Sequence, residues 1–141
     1  MFKKIVCAHA LGLPLFACAA VPLSMDCTST VRDFFAPLVQ GDLIARKPYI
    51  VDQHSLNHFK PKLFKPLTVY GLPVIYVLGY ANDPLLFINK GSPPDADVYG
   101  VIVKEGIANV QAQLTSVGAV QARTYRVDAQ LTAIICKGVS E

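Results

Sequence analysis

The chain has 141 residues, 13 Lys and Arg against 10 Asp and Glu, and an apolar content of 52%. That is enough to bury one core, so a single domain is the natural count, and a net charge of +3 is too small to nominate a polyanion as partner of the whole molecule. Nucleic-acid binding is not expected, since no recognition motif accompanies that modest excess.

The first segment, MFKKIVCAHALGLPLFACAA, begins with Lys3 and Lys4 and continues with an apolar middle that ends in small residues. This is the layout of an export signal, predicted to occupy residues 1–20, with a domain over 21–141. Gly12 and Pro14 interrupt the apolar stretch, which falls short of the ~20 residues that a spanning helix needs. No later run is long enough to span a membrane. Cleavage is expected after Ala19 or Ala20. The string Leu15, Phe16, Ala17, Cys18 also resembles the lipobox of bacterial lipoproteins, which makes Cys18 a candidate for lipidation. Removing Lys3 and Lys4 leaves 11 bases against 10 acids, so the processed form is nearly neutral.

Cys27 and Cys136 then remain in the body of the protein, and two cysteines in an exported chain are expected to form one disulfide. Val31, Phe34, Phe35, Leu38 and Val39 follow helical spacing, but Pro37 should end the helix near Phe35 or Ala36, giving a short element over about 30–36. Residues 45–66, punctuated by Pro48, Pro61 and Pro66, read as extended chain and loop with a short strand near Tyr49–Val51. Strands are predicted at Leu67–Tyr70, Val74–Tyr80, Leu85–Ile88 and Val98–Val103, the last covered on both faces. The stripe Ile107, Val110, Leu114 and Val117, with Gly118 as a stop, predicts a long helix over about 106–117. Val120–Val127 and Leu131–Cys136 read as a closing hairpin. The expected class is α+β, a mostly antiparallel sheet packed on one side by that long helix.

Asp52, His54 and His58 are the only residues clustered with metal-ligand chemistry, and on a helix His54 and His58 would share one face. Ser55 beside them raises a nucleophile-and-base reading, with no strained nucleophile turn to support it. Asn82, Asp83, Asp95 and Asp97 lack the spacing of a calcium loop and read as turn residues. Arg46, Lys47, Lys60, Lys62 and Lys65 stand against one acid, Asp52, over residues 46–65. The near-repeat Phe59, Lys60, Pro61 and Phe64, Lys65, Pro66 makes Phe59 and Phe64 candidate apolar anchors beside those bases.

Two resemblances bear on function. YGVIVKEGIANVQAQLTSVGA from Tyr99, followed by Tyr125, Arg126 and Val127, resembles one strand–helix–strand unit of the sporulation-related repeat domains. Those domains carry two such units and bind peptidoglycan glycan strands. The signal, the Cys27 and Cys136 pair and the segment 67–138 are also similar to small exported proteins of Gram-negative bacteria whose function is uncharacterised. No cofactor motif is found.

The expected function is an exported, non-enzymatic binding protein of the bacterial envelope, periplasmic, secreted or anchored, whose partner is an anionic envelope component or a protein. The rival readings are an envelope hydrolase or metal enzyme using Asp52, His54 and His58, and an inhibitor of an envelope-acting enzyme.

Overall fold

The computed structural model describes residues 19–140. Cys18 and the rest of the predicted export signal lie outside the described residues. The chain runs β1 (Val21–Leu23), α1 (Val31–Gln40), β2 (Ile50–Val51), β3 (Asn57–Phe59), β4 (Leu67–Val69), β5 (Leu72–Tyr80), β6 (Val98–Val103), α2 (Ile107–Ser116), β7 (Arg123–Arg126) and β8 (Thr132–Lys137). The eight strands form one sheet in the order β1-β4-β5-β6-β8-β7, with β3 also on β5 and β2 on β3. Only β1 and β4 run parallel; every other pair is antiparallel. The α+β class and the mostly antiparallel sheet are therefore as expected.

The long helix is not. Both helices have ten residues, and neither dominates the packing. The expected stop of α1 near Ala36 also fails, because the helix runs through Pro37 to Gln40. Asp33, whose carbonyl loses its donor to Pro37, lies one turn back on the same exposed side, so water can satisfy that carbonyl. Leu38, 2% exposed, meanwhile keeps the last turn anchored in the core. In α2 the stripe shortens at its end. Val110 and Leu114 are buried, but Val117 is the exposed C-cap, followed by Gly118 at φ +73°.

One face of the sheet carries both helices. Phe34, Phe35 and Leu38 of α1 and Val110 and Leu114 of α2 share a core with Val69, Val77, Tyr99, Val101, Val103 and Ile134. Gly79 leaves room there, since a Cβ on it would overlap the Phe35 ring. Fully buried Cys136 lies on this side, bonded to Cys27, with Cα atoms 4.9 Å apart. The bridge ties the segment after β1 to the last strand.

The predicted strand at Leu85–Ile88 is absent. Asp83 starts a turn instead: its carboxylate accepts the Leu85 N–H and its carbonyl those of Leu86 and Phe87. Phe87 drops into the core, while Leu85 stays 98% exposed. The predicted hairpin at the C-terminus is present, β7 pairing with β8, its first strand shorter than expected and its second shifted by one residue.

Candidate binding surface

Among the described residues, no helix packs on the second face of the sheet. A small cluster of Leu78, Ile102 and Ala133, bordered by Ile75, Tyr76, Leu131 and Ile135, is separate from the main core and contains no helical residue. The register shows how it is built. Ile50, His58, Leu78, Gly100, Ile135 and Arg123 are successive partners across β2, β3, β5, β6, β8 and β7. Tyr76, Ile102, Ala133 and Tyr125 form the neighbouring row. Because side chains alternate along a strand, both rows project from the helix-free face.

Large apolar groups stay in water here. Tyr49, Ile50 and Tyr125 are 58%, 45% and 51% exposed. Tyr49 stacks on Tyr76 with ring centroids 6.1 Å apart, and Lys60 Nζ stands 3.5 Å from the Tyr49 centroid. His58 meets the Tyr76 ring edge-on. The aromatic rings thus form an ordered platform at one border, with Arg123 and Tyr125 at the other.

The structure brings Asp52 and His58 together but does not assemble the three residues of the metal reading into one ligand set. His58 lies in a strand, not a helix, so the shared helical face does not exist. Asp52 spends one carboxylate oxygen on the N–H groups of His54 and Leu56. Its other oxygen lies 3.5 Å from His58 Nε2, without hydrogen-bond geometry. The His54 side chain is exposed on the bridge to Gly91. Among the described residues, no group of three His, Cys, Asp or Glu is placed to hold a metal ion.

Ser55 is fully buried. Its hydroxyl donates to the Lys90 carbonyl at 2.6 Å and accepts the Lys90 N–H at 2.8 Å, a structural role that leaves it no nucleophile's access. Asp83, Asp95 and Asp97 border a cleft of about 540 Å³ beside the start of α1, together with Arg32 and Lys137.

The basic segment folds as a ribbon. Residues 43–45 pair with 60–62 through Ala45 N–H to Lys60 O, Lys62 N–H to Leu43 O and the Ile44–Pro61 bridge. The pairing resumes where Tyr49 N–H meets His58 O, so Arg46, Lys47 and Pro48 bulge between the two paired stretches. All five bases therefore lie on one ribbon. The fold adds an acid that the run 46–65 did not contain: Asp42 pairs with Lys62 at 3.5 Å and Lys65 at 3.8 Å.

Of the two candidate anchors, Phe59 is a core residue, fully buried against Phe35 and Phe87. Phe64 is 59% exposed, and its neighbour Leu63, which the sequence reading passed over, is 81% exposed. The signal for Leu63 was available, as the residue between Lys62 and Phe64 in a turn framed by two prolines.

No protein-family profile, curated protein or solved structure matched the chain.

Proposed function

We propose that this is an exported, non-catalytic interaction domain that docks a protein partner on the helix-free face of its sheet. The observation that carries the proposal is that face itself: Tyr49, Ile50 and Tyr125 stay exposed on an ordered sheet, around a cluster already apolar at its centre. A soluble domain gains nothing by leaving two tyrosines and an isoleucine on one side of a rigid sheet. An interface gains exposed tyrosines with Arg123 beside Tyr125, Tyr and Arg being residue types that dominate contact energies. Export is supported by the Cys27–Cys136 disulfide, a bond that persists in oxidising compartments, and by the charged and apolar opening segment. The non-catalytic reading is supported by the exposed His54 side chain, which forms no three-ligand group with the Asp52–His58 pair among the described residues, and by the burial of Ser55.

Formaldehyde treatment of cells making tagged protein, followed by purification, tests the reading. Wild type should yield an adduct of defined mass that the Ile50→Glu, Tyr125→Glu double variant loses while folding normally. Adducts that persist in the variant would refute the assignment of the face. Stoichiometric zinc in the purified protein that disappears in the His54→Ala, His58→Ala variant would favour the rival metal enzyme.

A further inference from the structure

We infer that the turn Lys62–Lys65 is a docking tip for an anionic lipid bilayer. The turn closes through Lys65 N–H to Lys62 O at the end of the paired stretch 43–45 and 60–62. Leu63 and Phe64 stand at its apex, 81% and 59% exposed. Phe64 adopts φ +62°, a left-handed conformation that a bulky side chain occupies only at a cost. Pro61 and Pro66 stiffen the two arms, and Lys65 Nζ donates to the Asp42 carbonyl, which fixes the base of the turn. The apex is therefore apolar, exposed and fixed at its base.

Charge chooses the occupant. Lys62 and Lys65 flank the apex, with Arg46 and Lys47 further along the same ribbon, while the Lys60 ammonium is held over the Tyr49 ring on the sheet face. Asp42 pairs with both flanking lysines and offsets only part of their charge. Apolar side chains flanked by bases match a surface with phosphate headgroups outside and hydrocarbon beneath. A second copy of the chain would bring base against base. A soluble polyanion would use the lysines and leave Leu63 and Phe64 without a role. The tip lies off the sheet face assigned to the protein partner, so either assignment can fail alone.

Sedimentation of the purified processed protein with vesicles tests this. Vesicles of phosphatidylglycerol and phosphatidylcholine should bind the protein at low salt, and pure phosphatidylcholine should not. Each Lys→Gln change at Lys62 or Lys65 should weaken binding about fivefold. Asp42→Asn should strengthen it by a similar factor, since asparagine also tolerates that residue's φ of +52°. Leu63→Ser with Phe64→Ser should fold normally and lose most binding, including the part that survives added salt. Inorganic phosphate should compete no better than chloride at equal ionic strength. Absence of binding to the anionic vesicles, full binding by the Leu63→Ser, Phe64→Ser variant, or selective displacement by inorganic phosphate would each overturn the inference.

Discussion

Asn57, fully buried, donates through Nδ2 to the Ile88 carbonyl at 2.9 Å and accepts the Ile88 N–H at Oδ1, also 2.9 Å away. One side-chain amide thus takes the place of a neighbouring strand and holds the loop after β5 to the sheet. Asn57→Ala should cost about 2–3 kcal/mol, because it strands two backbone groups of Ile88. Chemical denaturation against wild type checks this. Tyr70 does comparable work at the other end. Tyr70 and Gly71, at φ +51° and +76°, form the two-residue turn between β4 and β5, a geometry that suits glycine and strains tyrosine. The Tyr70 hydroxyl compensates by bonding the Met25 carbonyl, which holds the segment before Cys27. Burial raises the phenols of Tyr70 and Tyr99 above their ordinary value, and Asp26 adds to both shifts. A raised acid favours the folded state below the unfolded phenol value near ~10 and loses that contribution as pH climbs through the folded one. Thermal stability should therefore fall above about pH 10. Tyr70→Phe should start lower and fall less steeply.

At the scale of elements, Pro37 is the informative misfit. Local physics ends a helix before an interior proline, yet tertiary burial of Leu38 extends α1 by a turn. Pro37→Ala should restore the missing N–H to Asp33 and raise stability by about 2 kcal/mol, read as an increase in melting temperature. The same competition explains what was legible in the sequence. Val98–Val103 showed itself as a central strand by its continuous apolar run, and all six residues pair with β5, across one register shift, and with β8. Leu85–Ile88 looked like a strand by composition, but Asp83 and Pro84 committed it to a turn before it could reach a partner. The strands β1 and β3, three residues each, carry no periodicity to detect; they exist because β4 and the nine-residue β5 offer them partners. The basic residues of the ribbon were legible as a cluster. Asp42 was not, since only the fold brings it to Lys62 and Lys65. The helix-free face was invisible for a related reason: Ile50, His58, Leu78, Ile135 and Arg123 lie on five strands spread over most of the chain, and only register lines them up.

For the whole molecule, the Cys27–Cys136 bond closes most of the described chain, with 109 residues of sequence separation. Chain-entropy reasoning gives a loop of that size about 4.7 kcal/mol of stabilisation. Replacing both cysteines by serine should lower the melting temperature by roughly 15 °C. Mass spectrometry of unreduced, alkylated protein should find no label on either residue. With the two ends of the fold tied and both helices on one side, the opposite side of the sheet is left as a rigid surface for the proposed protein partner. Replacing single residues with a photo-reactive phenylalanine analogue in cells tests that docking, with Tyr49, Ile50 and Tyr125 probing the open face and Arg32, Gln111 and Thr115 the helical side. Light-dependent adducts of one common mass should form from the first three positions and none from the second three. Adducts from the helical side alone, or none from either side, would rule out a partner on the open face.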